Sequence, residues 1–153
     1  MRFMRKQAGF TLIELIITIS IVAIVLSVAI PNFIGWGPER RLAGAAGDIQ
    51  GALQTARLVA LKENSAATVN FDINAESYTV TVNGRTVRSG QMPAGVDLAS
   101  VTDLGTNTPT SAIAFNSRGL ASPSVDIRVN GSSSSTPRRI RLNLSGSSKV
   151  FRN

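Results

Sequence analysis

Between Phe10 and Ile30 the chain reads FTLIELIITISIVAIVLSVAI, twenty-one residues carrying a single charge, Glu14. As an α-helix this stretch is roughly 31 Å long, enough to cross the hydrocarbon core of a bilayer. A helix that apolar on every side is not covered by a small domain, so it constrains everything placed after it. Arg2, Arg5 and Lys6 precede it without an acid. A short basic leader of this kind stays on the cytoplasmic side and puts the rest of the chain across the membrane, although Arg40 and Arg41 beyond the span weaken the asymmetry. A secretory signal has a small-residue cleavage site after its apolar stretch. Here Pro31-Asn32-Phe33-Ile34-Gly35-Trp36 follows instead, so the apolar helix is expected to be retained.

Glu14 is the unusual residue of the span. A carboxylate at the centre of a membrane helix costs about 2.5–3.5 kcal/mol on insertion scales, and a partner or a function is the default expectation. The competing reading puts Glu14 near the headgroups, ionised at little cost. A cut between Gly9 and Phe10 creates an α-amino cation one helical turn from Glu14, at the i, i+4 spacing where opposite charges meet. The same cation of one subunit is also able to meet Glu14 of its neighbour.

Ala8-Gly9-Phe10-Thr11-Leu12-Ile13-Glu14-Leu15, followed by the long apolar run and Pro31, closely resembles the N-terminus of type IV pilins and type II secretion pseudopilins. The resemblance implies a leader, residues 1–9, cut after Gly9 by a prepilin peptidase, and N-methylation of the new terminal Phe10. It implies that Glu14 sets register by pairing with the terminal amine of an adjacent subunit. It also implies a helix bend at Pro31 and a filament core built from residues 10–30.

Gly35-Trp36-Gly37-Pro38 reads as an interruption, with two flexible residues and a Pro suited to a first helical turn. A helix is expected to continue after this break, within 31–64. From Glu39 onward Leu42, Ala45, Ala46, Ile49, Leu53, Ala56, Val59 and Ala60 follow helical spacing, giving an amphipathic helix that covers a sheet. Beyond Ser65 the pattern changes to strands at Ala67–Phe71, Tyr78–Val82 and Thr86–Arg88, with Asn83-Gly84 a two-residue hairpin signal. Further strands are expected at Gly95–Leu98, Ala112–Phe115, Val125–Val129, Arg138–Leu144 and Lys149–Arg152. Loops are expected at Asp103–Ser111 and over the Gly131–Pro137 run. One long helix followed by seven or eight short strands gives an α+β fold with antiparallel sheets, and a β-rich head over 65–153.

Within the head the resemblance narrows. Leu53-Gln54-Thr55-Ala56-Arg57-Leu58-Val59-Ala60 looks like the ARxxA helix of minor pseudopilins of the GspH/FimT/FimU type. Ile113-Ala114-Phe115-Asn116-Ser117-Arg118-Gly119 looks like their strand and glycine turn, and Arg138–Gly146 like their C-terminal strand. This implies a two-sheet head packed on the helix and a low-copy role at a filament tip or in priming assembly. The partners implied are other pilin or pseudopilin subunits, the prepilin peptidase and an inner-membrane assembly platform. Membrane lipid surrounds the helix before assembly, and the implied location is the bacterial inner membrane, with the N-terminus cytoplasmic and the head periplasmic, then the filament.

Charge and composition bound the chemistry. There is no His and no Cys, which removes imidazole acid/base catalysis, thiol nucleophiles, disulfides and the usual zinc sites. No nucleophile–base arrangement is visible, and no enzyme, cofactor or metal is expected; Asp72, Glu76, Asp97 and Asp103 read as ordinary turn and strand residues. The net charge of +7 is concentrated at the ends: from Arg118 onward only Asp126 offsets seven bases. In the expected strand Arg138–Leu144, alternation puts Ile140, Leu142 and Leu144 on one face and Arg139, Arg141 and Asn143 on the other. Arg138, Arg139, Arg141, Lys149 and Arg152 are therefore candidate contacts to DNA or to a protein partner, against the plainer reading of a solvated face. Some FimT-like proteins are DNA-uptake receptors with a Gly-Arg-x-Arg signature. The corresponding Gly146-Ser147-Ser148-Lys149 departs from it, which leaves DNA as the alternative reading.

Overall fold

The computed structural model describes residues 10–132 and 136–152, and for residues 31–35 the backbone alone. The expected leader and the middle of the Ser-rich run lie outside the described residues. The chain divides into two units, Met1–Gly37 and Pro38–Asn153.

In the first unit the apolar stretch is helical from Leu12, within a helix α1 assigned over Leu12–Lys62. Its span Leu12–Ile30 has a mean hydropathy of 2.8, with none of it buried by the rest of the chain. The hydroxyl side chains of this span are satisfied within the helix. Thr18 Oγ1 donates to the Glu14 carbonyl at 2.7 Å, Ser20 Oγ to Ile16 at 2.8 Å and Ser27 Oγ to Ile24 at 2.7 Å. Hydroxyls bonded back to the preceding turn leave no unmet donor facing lipid. The expected interruption at Gly35–Pro38 does not end the helix: the assignment runs through Pro31 and Pro38 without a gap. Each Pro removes one N–H from the ladder. What changes after Gly37 is the surroundings of the helix, since the second unit begins at Pro38.

In the second unit the C-terminal half of α1 lies on a core closed by two antiparallel sheets. The strands are β1 Ala67–Asp72, β2 Ser77–Val82, β3 Arg85–Gln91, β4 Val96–Asp103, β5 Ala112–Phe115, β6 Ala121–Ser122, β7 Val125–Gly131, β8 Arg138–Leu142 and β9 Ser148–Arg152. The first sheet has the order β3-β2-β1-β5-β6 and the second β4-β7-β8-β9. Asn83 and Gly84 both take positive φ, 49° and 74°, the backbone of a type I′ turn whose twist matches the strands it joins. Val82 and Arg85 accordingly face each other in register.

The core is assembled from matching periodicities. Leu42, Ala45, Ala46, Ile49, Leu53, Ala56 and Ala60 are buried, as their helical spacing predicts, and Ala52 joins them. Val69, Phe71, Val80, Val82, Ile113 and Phe115 come from the first sheet, and Leu98, Val101, Ile127, Val129, Ile140 and Leu142 from the second. Burying a side chain of this size contributes about 1.5–3 kcal/mol.

Three expectations change. The strand β4 continues to Asp103, past the Leu98 limit, because a bulge between Leu98 and Ser100 shifts the alternation and returns Val101 to the core. The two-residue strand β6 was not expected; two residues carry no readable period. Leu144 is 60% exposed instead of buried with Ile140 and Leu142, since β8 ends at Leu142 and the chain turns there.

Candidate functional site

At the start of α1, Thr11 caps the helix. The Glu14 N–H donates to Thr11 Oγ1 at 3.2 Å and the Leu15 N–H to the Thr11 carbonyl, also at 3.2 Å. Thr11-x-x-Glu14 is thus the front half of a capping box, with an acid in the first turn where the helix dipole favours it. This role was readable from the Thr-x-x-Glu spacing and the sequence reading passed over it. Phe10 is 89% exposed and precedes the first helical residue, so the pair Phe10–Glu14 is not at a helical i, i+4 spacing in this chain. The Glu14 side chain is exposed, and among the described residues no group pairs with its carboxylate. Gly9 lies outside the described residues. Pro31 is inside the helix.

The cations of the C-terminal strands do not form one free surface. Arg138 Nη2 lies 3.5 Å from Glu39 Oε2 and Arg152 Nη2 3.7 Å from Glu39 Oε1, so one helix carboxylate holds two of them. Arg139 Nη2 donates to Asp126 Oδ2, and this hydrogen bond, with the Coulomb attraction beside it, holds the Arg139 guanidinium above its ordinary pKa. Arg141 and Lys149, cross-strand partners in β8 and β9, are both exposed. Arg141 lies over the Phe151 ring, 5.7 Å from its centroid, a cation–π contact. Three of the five cations are therefore spent on carboxylates of the same chain, which weakens the case for a phosphate-binding stripe. Among the described residues no group of three His, Cys, Asp or Glu side chains is placed to hold a metal ion.

Residues 4–30 match the prokaryotic N-terminal methylation motif, and residues 45–146 match the type II transport protein GspH. The chain belongs to the GspH family. Its head resembles the type IV minor pilin FimU of Pseudomonas aeruginosa, at 13% identity and a TM-score of 0.59 over 74% of this chain and 90% of that one. It also resembles the minor pseudopilin EpsH from the type 2 secretion system of Vibrio cholerae, at 13% identity and a TM-score of 0.58 over 73% of this chain and 97% of that one. These likenesses give the fold. No curated protein sequence matches the chain. With the methylation motif on an outward-facing apolar helix, the GspH match places the chain among the type IV pilins and pseudopilins as a membrane-anchored minor pilin or pseudopilin.

The matched GspH region has a structural junction that the sequence reading saw only as three separate motifs. Arg57, in the ARxxA turn of α1, reaches the Gly146 carbonyl with Nη1 at 3.4 Å. Its side chain also lies against Gly119: a Cβ there would sit 3.1 Å from Arg57 Nε and 3.3 Å from Leu61 Cδ1. Gly119 follows β5 of the first sheet and Gly146 follows β8 of the second. The two turns touch, since a Cβ on Gly146 would collide with the Gly119 carbonyl oxygen. The Ala121 N–H donates to the Leu144 carbonyl at 2.9 Å beside them. Asn116 Oδ1 fixes the first turn by accepting from the N–H of Arg118 at 2.9 Å and of Leu120 at 3.0 Å. Helix and both sheets are clipped at one point, a property of spacing across ninety residues that no local pattern carries.

Proposed function

We propose that the chain is cut between Gly9 and Phe10 by a prepilin peptidase, N-methylated on Phe10, and held as a single-pass protein of the bacterial inner membrane with its head in the periplasm. An inner-membrane assembly platform then draws it into a type IV pilus or type II secretion pseudopilus as a low-copy subunit, non-enzymatic, acting at the tip or in priming assembly. The observation that carries this reading is a methylation motif on an outward-facing apolar helix joined to a GspH head. In the filament the apolar helices replace lipid with one another, and Pro31 relaxes the helix where the span ends. Glu14 sets register by meeting the Phe10 amine of a neighbouring subunit. Its exposed carboxylate has no partner among the described residues, and a lone charge in a span calls for one.

The test is Glu14→Ala in cells. Membrane insertion and head folding are expected to match wild type, while recovery in sheared filaments falls by about tenfold or more, the equivalent of a lost charge pair in apolar surroundings. Wild-type recovery of Glu14→Ala would remove the register role. Mass spectrometry of the filament subunit is expected to give a chain starting at Phe10 with one added methyl; any other start rejects the processing step.

A further inference from the structure

A cleft of about 610 Å³ opens at the β1–β2 hairpin of the first sheet. Asn70 and Asp72 alternate with the buried Val69 and Phe71, and Ser77 and Thr79 with the buried Tyr78 and Val80. The four polar side chains therefore stand on the outer face of the sheet. Asn70 lies opposite Thr79 and Asp72 opposite Ser77, and all four line the cleft. Ile73 and Asn74 enter from the turn between the strands. Ser111 enters from the loop before β5, beside β1, where its carbonyl accepts the Phe71 N–H at 2.7 Å. These polar groups are open to solvent: Asn70, Asp72, Asn74 and Ser111 are exposed, Ser77 and Thr79 half-buried. Asp72 Oδ1 accepts from the Ala75 N–H at 2.9 Å, which fixes the carboxylate at the turn and leaves Oδ2 to the cleft. Among the described residues the side chains of Asn70, Asn74, Ser77, Thr79 and Ser111 make no hydrogen bond.

The lining selects the ligand. No Lys or Arg lines the cleft, and the Asp72 carboxylate repels an anion, so phosphate and nucleic acid are disfavoured. One carboxylate is too few for a hard cation, which takes several oxygen ligands of this kind. Phe71 and Tyr78 also line the cleft, but at 4% and 3% exposure they offer no face on which a flat ring stacks. An extended peptide finds no free ladder, because β1 is paired on both sides, to β2 and to β5. What remains is a neutral ligand that meets several short polar side chains at once. Carboxamides and hydroxyls each donate and accept, and a carboxylate oxygen accepts only. A sugar ring matches this set: its adjacent hydroxyls also donate and accept, and its C–H face is apolar. We propose that the cleft binds a neutral saccharide. Asp72 Oδ2 and the Asn70 carboxamide take neighbouring ring hydroxyls, Asn74, Thr79 and Ser111 complete the polar contacts, and Ile73, 41% exposed, packs on the C–H face.

The experiment titrates the full chain, in micelles of a zwitterionic detergent without a sugar headgroup, with maltose, cellobiose, lactose and diacetylchitobiose. NMR follows the side-chain amide signals of Asn70 and Asn74. At least one of these disaccharides is expected to move both signals, with an affinity that stays the same between about 50 and 200 mM salt, unlike that of a phosphate contact. Asp72→Asn keeps an acceptor for the Ala75 N–H while removing the charge, and is expected to weaken binding about tenfold, the range of a lost hydrogen bond to a charged group. Asn70→Ala, an exposed change on the sheet, is expected to weaken it about threefold. Arg118→Gln, elsewhere on the head, is expected to leave it unchanged. The proposal is overturned if none of the four disaccharides moves the two signals, or if binding is the same in Asp72→Asn and Asn70→Ala as in wild type. A capped Gly-Ser-Gly peptide or glycerol that reproduces the shifts at the same concentration also overturns it, since the cleft would then not distinguish a sugar ring from any neutral polar group.

Discussion

Leu12–Ile30 and Leu42–Ala60 belong to the same helix and draw on the same few apolar residue types, yet their side chains have opposite fates. Leu12, Ile17 and Ile24 are 76%, 52% and 67% exposed, whereas Leu42 and Ile49 are fully buried. The difference lies in arrangement. In the second stretch apolar residues occupy one stripe and Asp48 and Gln54 fall off it, so a head with two sheets is able to cover all that needs covering. In the first they occupy every side, and no domain of this size has enough surface to enclose them. One half of the helix is covered by its own chain, and none of the other is buried by the described residues.

Ile49→Ala and Leu53→Ala are expected to destabilise the head by about 2–5 kcal/mol each, the cost of a cavity in a packed core, measured by denaturant unfolding of the detergent-solubilised chain. Ile17→Ala is expected to leave the head midpoint where it is. A comparable loss from Ile17→Ala would break the comparison, because it would mean that the span contributes to the stability of the head.

Glycines sharpen the same contrast with opposite signs. Gly146 has φ +75°, and a side chain there would strike the Gly119 carbonyl and crowd Arg57. Gly146→Ala is expected to cost about 1–3 kcal/mol for the strained backbone, and more if the clip opens. Gly44 is mid-helix on the solvent side, with open space where its Cβ would be. Gly44→Ala is expected to stabilise the head by about 1 kcal/mol through helix propensity. Thermal unfolding of the two variants decides both, and a destabilised Gly44→Ala would show that the helix's outer face is packed in a way the isolated chain does not reveal.

The periodic elements were the legible part. Eight spaced apolar residues located the helix stripe, and Asn83-Gly84 located a turn, because each is fixed by residues close in sequence. The Gly35–Pro38 run falls where the first unit gives way to the second, although the helix assignment passes through it. The ion pairs were illegible. Glu39 gathers Arg138 and Arg152 from the far end of the chain, and Asp126 takes Arg139 from the next strand. Sequence counted those cations as a free patch, because a charge tally contains no distances. The DNA alternative rested on that tally. The Arg57 junction was visible as three motifs and invisible as one place for the same reason.

Two carboxylates, Glu14 and the half-buried Asp103, extend the contrast to electrostatics. Among the described residues no donor reaches the Glu14 carboxylate, whereas Asp103 has two: the Gly105 N–H at 2.7 Å and the Thr106 hydroxyl at 3.0 Å. The Gly105 N–H, with Thr106 in support and against the opposing effect of desolvation, holds Asp103 below the ordinary carboxylate value of 3.8. A carboxyl whose pKa is lowered by folding adds stability that is present above its unfolded value and is lost as pH falls through the folded one. The turn that closes with the Asn107 N–H on the Asp103 carbonyl is therefore expected to persist at pH 4 and to loosen only below the ordinary range. Amide exchange at Gly105 and Asn107 across an acid series checks this, with Asp103→Asn as the control in which the acid transition disappears. The effect is small and confined to one loop. A transition centred at or above 3.8 would mean that the donors around Asp103 do not favour its ionised form, leaving it no better served by its own chain than Glu14.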